Sequence, residues 1–209
     1  MARRTKQDAL ATREALLDAA ERVFEQRGVA RSSLADIAAA AGVTRGALYW
    51  HFKDKADLFN AMLERVTLPL ESELAGVAQV PGDPVEALLQ RLERALAQIA
   101  ADERTQRVLG IATLMIEHVE ELRPVRERHA QYDQADVERL RQVFERASAL
   151  RGQALPAPAQ QLAQGLHVLV RGLVDGWLRQ RDFDLPDTAH VVVGAYLRGI
   201  GLPALRNRG

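Results

Sequence analysis

Apolar residues recur along this chain at helical spacing, and almost nowhere in strict alternation. Leu16, Ala20, Val23 and Phe24 share one face of a segment that spans 8–27, and Gly28 stands where a helix of that length would stop. Leu34, Ile37, Ala38 and Ala41 form a second, shorter stripe. Ser33 opens it with an acid three residues on, the spacing of a capping box, and Gly42 closes it. Thr44 then caps a third segment in which Leu48 and Phe52 lie four apart and point inward together. Asp54 can cap a fourth helix. Its inner face is Leu58, Phe59 and Met62, and it is expected to run to about residue 78 with a bend at Pro69.

Pro81-Gly82-Asp83-Pro84 is the clearest break in the chain. Beyond it the pattern stays helical: 84–100, with Leu88, Leu92, Leu96 and Ile99; 105–121, apolar on most sides; 124–151, with Val137, Leu140, Val143 and Phe144; then 159–181 and 186–205. Residues 1–7 are polar and basic, and read as a loose tail or as an arm that touches DNA. The pattern predicts an all-α chain of about nine helices. Residues 1–54 would be one domain, with its helix-turn-helix at 33–52, and residues 55–209 a second.

Composition narrows the chemistry. There is no cysteine among 209 residues, so neither a disulfide nor a thiolate is available. The formal net charge is zero, which argues against a general polyanion binder. The charge is uneven, however. Residues 1–65 hold eleven Lys or Arg against nine Asp or Glu, gathered mainly at Arg3, Arg4, Lys6 and from Arg45 to Lys55. No signal peptide is visible and no apolar run reaches the length of a membrane span, so a soluble, cytoplasmic chain without membrane contact is expected.

With Leu48 and Phe52 turned inward, Arg45, Gly46, Tyr49, Trp50 and His51 are left on the outer surface of the third helix. A solvated helix rarely shows a Tyr and a Trp there. A short helix, a turn at Gly42 and a second helix carrying such a face form the pattern that reads the DNA major groove. The last two helices hold Gly165, Gly172, Gly176, Gly194, Gly199 and Gly201. Glycine costs about 1 kcal/mol in a helix interior. Close backbone packing explains so many, either within one chain or against a second copy across a two-fold axis.

Catalytic readings find little. His129 and Asp133 lie one turn apart, as do Glu117 and Glu121, but a charged helix face explains both pairs, and no nucleophile or glycine-rich loop accompanies them. His118 has no second histidine one turn away, so no metal is expected, nor any cofactor.

The segment Ala41-Gly42-Val43-Thr44-Arg45-Gly46-Ala47-Leu48-Tyr49-Trp50-His51-Phe52-Lys53-Asp54-Lys55-Ala56-Asp57-Leu58-Phe59 resembles the signature of the TetR family of transcriptional regulators. Together with Met1-Ala2-Arg3-Arg4-Thr5-Lys6 it looks like the AcrR/TtgR branch, which represses multidrug efflux pump genes. The resemblance implies a homodimer on a palindromic double-stranded DNA operator, released by a small hydrophobic or drug-like effector. An activator, or a regulator without an effector, is the alternative. By position it implies that Arg45 reaches a base edge and that Ser33, Thr44, Tyr49, His51 and Lys55 hold phosphates. Trp50 would pack at the helix–DNA junction and Gly46 would leave room for the backbone.

The effector would lie among the helices after Pro84. Inward-facing candidates are Leu88 and Leu92; Leu109, Thr113 and His118; Val137 and Phe144; and His167, Val170, Arg171, Val174 and Trp177. For each apolar one, plain core is the competing reading. For the two histidines it is a hydrogen-bonded core or surface position. Arg171 either pairs with Asp175 one turn on or meets a polar ligand. Gly165, Gly172, Gly176, Gly194 and Gly199 mark the dimer interface expected of the last two helices.

Overall fold

A computed structural model describes residues 2–114 and 120–204. Its α-helices are α1 (Ala2–Arg27), α2 (Leu34–Ala40), α3 (Arg45–His51), α4 (Lys55–Leu74), α5 (Pro84–Ala101), α6 (Glu103–Leu114), α7 (Arg123–Arg151), α8 (Ala159–Gln180) and α9 (Leu185–Gly199). Two short 3₁₀ turns, Val77–Gln79 and Glu120–Leu122, complete the order. Among the described residues there is no strand. The all-α expectation holds.

Several ends fall differently from expectation. α1 begins at Ala2, because nothing in the basic start (no Pro, no Gly) stops helical propagation toward the N-terminus. α4 ends at Leu74, where Gly76 at φ 66° breaks it, and Pro69 sits inside it. α9 ends at Gly199, since Gly201 takes φ 81° and the Leu202 N–H turns back to the Leu197 carbonyl.

The chain forms two compact units. The first holds residues up to 68 together with 104–128; the second holds 69–103 and the chain from 129 onward. The first unit therefore takes in the start of α4 and most of α6, residues that the sequence pattern assigns to the second domain.

The core of the first unit is the set of stripes seen in the sequence. Leu16, Phe24, Ile37, Leu48, Phe52, Leu58, Phe59 and Met62 are all buried, with Val108, Ile111, Leu122 and Val125 added from α6 onward. Each such side chain contributes about 1.5–3 kcal/mol by leaving water. Phe24 and Phe59 meet at 5.8 Å between ring centres. Among the polar groups buried in this unit is Glu21 on α1, 1% exposed. It pairs with Arg65 of α4 and with Arg104 (3.6 Å) and Arg107 (3.4 Å) of α6. Arg65 also reaches Glu14 and Asp18, each at 2.8 Å. A buried carboxylate is tolerable because three guanidinium groups compensate its charge.

In the second unit α9 packs on both α5 and α8. Asp83 caps α5 by accepting from the Val85 N–H at 2.8 Å, and Arg151 of α7 donates to the same carboxylate at 2.7 Å. Tyr196 of α9 donates to the Leu162 carbonyl of α8 at 2.6 Å.

Candidate functional site

The turn between α2 and α3 sets the outer face of α3. Ser33 and Asp36 form the complete capping box at the start of α2, with Asp36 N–H donating to Ser33 Oγ at 3.2 Å and Ser33 N–H donating to Asp36 Oδ2 at 2.9 Å. At the other end Gly42 takes φ 69°. Its N–H bonds Ala39 O at 3.1 Å, and the Val43 N–H bonds Ala38 O at 3.0 Å. That pair of bonds is the Schellman arrangement, and only glycine enters its left-handed position cheaply. Val43 then packs on the core. Thr44 accepts from the Ala47 N–H at 3.1 Å and starts α3.

Leu48 and Phe52 fix the inner side of α3, 0% and 2% exposed. The outer side carries Thr44, Arg45, Gly46, Tyr49 and Trp50, all exposed, with His51 half-buried at the last turn. Trp50 is 73% exposed, the most of any large apolar side chain described. Arg45 donates from Nη2 to the Tyr49 hydroxyl at 3.2 Å, and its guanidinium carbon lies 5.4 Å from the centre of the Tyr49 ring. The hydroxyl holds the Arg45 guanidinium above its ordinary range. His51 meets the Trp50 ring edge-on at 4.6 Å. Partial burial, and then the charge of Arg13, hold its imidazole below the ordinary value and therefore neutral at pH 7. A Cβ on Gly46 would meet only Thr44 Oγ1, at 3.8 Å, so the backbone there is open to approach.

Lys55 is a correction. It is 4% exposed, and its ammonium donates to the Val29 carbonyl at 3.1 Å and the Ser32 carbonyl at 3.0 Å, with Glu121 at 2.8 Å. All its hydrogen-bonding capacity is spent inside the first unit, so it is not available to a phosphate. The cation left exposed beside it is Lys53. Sequence reasoning also missed Arg13 of α1, whose guanidinium lies 5.3 Å over the Phe52 ring at the end of α3. No local signal could have found it, since the two positions are 39 residues apart.

In the second unit a cavity of about 80 Å³ opens among α4, α5, α7 and α8. Four of the sequence candidates meet there: Leu88 and Leu92 of α5, and His167 and Val170 of α8. The pattern did not single out Leu74, Val77, Leu140 and Leu166 for this wall, nor the two charged residues Asp136 and Arg139. Asp136 and Arg139, one turn apart on α7, are paired with each other. Burial pushes the Asp136 carboxyl above its ordinary range, and Arg139 pulls it back.

The remaining candidates stand elsewhere. Val137 and Phe144 are buried at 3% and 0% but do not line this cavity. Val174 is half-buried. Trp177 closes α8, its Nε1 donating to Phe183 O at 2.9 Å. Arg171 is spent on Asp133 across to α7, at 2.6 and 2.8 Å, with Asp175 farther off at 3.9 Å. Asp133 also faces His167 at 3.5 Å, and that imidazole, with Arg171, holds its carboxyl below the usual range. Leu109 packs on the core of the first unit, and Thr113 belongs to the same unit. Neither lines this cavity. His118 lies outside the described residues.

The glycines divide. A Cβ on Gly165 would stand 2.6 Å from the Tyr196 hydroxyl, so close α8–α9 packing within one chain accounts for it. Gly194 would meet only Arg198 of its own helix, at 3.4 Å. A Cβ on Gly172, Gly176 or Gly199 would meet nothing within 4 Å beyond its own stretch of helix among the described residues.

A capped three-helix module with an exposed Arg, Tyr and Trp on its last short helix defines a helix-turn-helix DNA-binding protein. Residues 16–62 match the bacterial regulatory proteins of the TetR family, and residues 83–201 match the C-terminal region of MAATS-type transcriptional repressors. The chain is similar to the HTH-type transcriptional regulator AcrR of Shigella flexneri, 37% identical over 99% of this chain and 98% of that one. It is similar in structure to NalD, the secondary repressor of the MexAB-OprM multidrug efflux pump in Pseudomonas aeruginosa: 37% identity, 97% and 100% coverage, TM-score 0.80. It is likewise similar to SmeT, the repressor of the Stenotrophomonas maltophilia multidrug efflux pump SmeDEF, in its complex with triclosan: 31% identity, 95% and 98% coverage, TM-score 0.80. The chain belongs to the TetR family. It is a transcriptional regulator and not an enzyme, as the residues of the α2–α3 segment implied.

Proposed function

We propose that two copies of this chain bind a palindromic operator and repress a multidrug efflux pump operon until a small hydrophobic effector releases them. The observation that carries this reading is the outer face of α3: Arg45, Tyr49 and Trp50 exposed on a helix whose inner face is fully buried. The regulated target is carried over from NalD and SmeT, which are named as repressors of such pumps. The effector is carried over from the SmeT complex with triclosan. The site of action would be the cytoplasm, where the operator lies; no helix among the described residues is long and apolar enough to cross a membrane.

In this reading Arg45 enters the major groove and takes a base edge, most readily guanine O6 and N7. Thr44, Tyr49 and His51 hold phosphates, with Ser33 at the flanking helix start and Lys53 in place of Lys55. Trp50 packs where helix and backbone meet, over the open Gly46. One short helix reads too few base pairs for specificity in a genome. Two copies about 34 Å apart read both halves of a palindrome. The outer faces of α8 and α9 support such a pairing: Gly172, Gly176 and Gly199 are open, and Val168 and Val191 are 58% and 62% exposed.

Effector control follows from volume. The cavity of about 80 Å³ is well below the roughly 300–1,000 Å³ of a drug-sized site. A large effector binds only an expanded arrangement of α5, α7 and α8, and differential affinity of this kind is what shifts an equilibrium. Leu74, on its wall, ends the same α4 that begins at Lys55. In this reading residues 1–54 read DNA, and the effector and the second copy are bound within 55–209.

The test is fluorescence anisotropy on the duplex upstream of the gene or of a neighbouring transporter gene, with light scattering on the same samples. A dimer is expected to prefer that duplex to a scrambled one by at least a hundredfold. Gly172→Arg is expected to give a monomer that has lost this preference. A monomeric parent protein, or equal affinity for both duplexes, would overturn the reading.

A further inference from the structure

The polar end of the second unit's cavity carries information about its occupant. Its walls are aliphatic: Leu88, Leu92, Leu140, Leu166 and Val170, with Leu74 and Val77 at one side. Among the described residues no Phe, Tyr or Trp ring lines it, so it has no broad stacking platform for a flat polycyclic cation. Three side chains supply all its polarity: Asp136, Arg139 and His167. Asp136 and Arg139 are already an ion pair. Behind His167, Asp133 is paired with Arg171. The charges at this end cancel in couples, and none is left over.

That balance decides between ligand classes. A permanent cation entering here would meet Arg139 as a like charge, or would have to break Arg139 from Asp136. An organic anion would meet Asp136 in the same way. Separating a partly buried ion pair strands one charge in a poor solvent, which is costly. A neutral hydroxyl avoids the cost. It donates to a carboxylate oxygen of Asp136 and accepts from the Arg139 guanidinium or the His167 ring, and both halves of the pair stay in place. Burial raises the Asp136 carboxyl above its ordinary range even with Arg139 beside it, so this acceptor is desolvated.

We propose that this cavity is selective for uncharged, compact aliphatic alcohols, with the hydroxyl seated between Asp136 and Arg139 and the hydrocarbon body against Leu88, Leu92 and Leu166. This rests on the reading that the second unit receives an effector, and it names the effector's chemical class. The cavity of about 80 Å³ is small for such a body, so α5, α7 and α8 must move apart to admit it, as the release of the operator requires.

The experiment is calorimetric titration of the full-length protein, without DNA, by three probes that share one ring skeleton: menthol, menthylamine and menthane carboxylate. Menthol is expected to bind at least tenfold tighter than either charged analogue. Asp136→Asn keeps the shape and leaves Arg139 uncompensated, so in that variant the carboxylate is expected to gain at least tenfold on menthol. Leu92→Trp fills the cavity and is expected to abolish heat from all three while the helical circular dichroism stays. A cationic or anionic probe that binds the parent protein as tightly as menthol, equal binding of all three, or no binding at millimolar probe would each overturn the proposal. An unchanged order in Asp136→Asn would overturn the seating of the hydroxyl. Operator binding, measured separately by anisotropy without probe, keeps the two readings apart. A protein that grips its operator but shows no preference for menthol sinks this inference alone. One that prefers menthol but binds no operator sinks the regulatory reading.

Discussion

The ammonium of Lys55 stands 2.8 Å from the Glu121 carboxylate, although 66 residues separate them, and it donates at the same time to the carbonyls of Val29 and Ser32. The first residue of α4 thereby ties the α1–α2 turn to the short turn after α6. Lys55→Met would leave two buried carbonyls and one carboxylate without their donor, at about 2–3 kcal/mol of stability. The urea midpoint should fall accordingly. The salt dependence of operator binding should be unchanged in Lys55→Met and shallower in Lys53→Ala, because only Lys53 is exposed. The opposite pattern would return Lys55 to the DNA surface.

Arg45 and Tyr49 should separate base reading from positioning. Arg45→Ala is expected to cost about 1–3 kcal/mol and to relax base preference at one position in each half-site. Tyr49→Phe keeps the ring beneath the guanidinium and removes only the hydroxyl acceptor. Its loss should stay under about 1 kcal/mol, with the base preference retained. A panel of single-substituted duplexes measures both. A Tyr49→Phe variant that relaxes the same base position as fully as Arg45→Ala would show that the hydroxyl, not the stacking, orients the guanidinium.

Glu21 is the buried end of a network, and Glu14 an exposed one; Glu14's side chain is 51% exposed and Glu21's 2%. Glu21→Gln leaves Arg65, Arg104 and Arg107 short of a counter-charge, at about 2–4 kcal/mol. Glu14→Gln should cost no more than about 1 kcal/mol, as exposed pairs do. Thermal unfolding of the two variants side by side tests the ranking. Equal losses would mean that burial does not govern this cluster.

His51 gives a pH signature with a definite sign. Its folded value lies below 6.5, lowered by burial and by Arg13, so the unfolded chain binds the proton more readily. Its contribution to stability is therefore present above about pH 6.5 and is lost as pH falls below that. A DNA phosphate beside the ring reverses the preference, since negative charge favours imidazolium. Operator affinity should then rise as pH falls from about 7.5 to about 6, by less than the tenfold per pH unit that one proton allows. In His51→Gln the profile should be flat between those limits. A slope that survives this change belongs to another group.

Periodicity made the helices legible because an amphipathic stripe and its caps are local. Ser33 with Asp36, Gly42, and the pair Leu48 and Phe52 were each readable within seven residues. Partners from distant helices were not. Nothing near Lys55 announces that the carbonyls of Val29 and Ser32 converge on it. Arg171 has an acid one turn on, yet it turns to Asp133 on another helix at 2.6 Å. Gly165 looked like its neighbours in sequence, but the Tyr196 hydroxyl claims its space from α9. The cavity was half legible for the same reason. An inward stripe marks Leu88 and Leu92, while Asp136 and Arg139 look like ordinary charged surface until α8 is laid across them.

The chain has two tryptophans, and the fold places them in opposite circumstances. Trp50 stands bare to solvent on α3, whereas Trp177 is 7% exposed and hydrogen-bonded at the end of α8. Long-wavelength emission open to an aqueous quencher therefore belongs to one indole, and blue-shifted, shielded emission to the other. The molecule carries an intrinsic spectroscopic label on each of its two units, and each can be followed without attaching a dye.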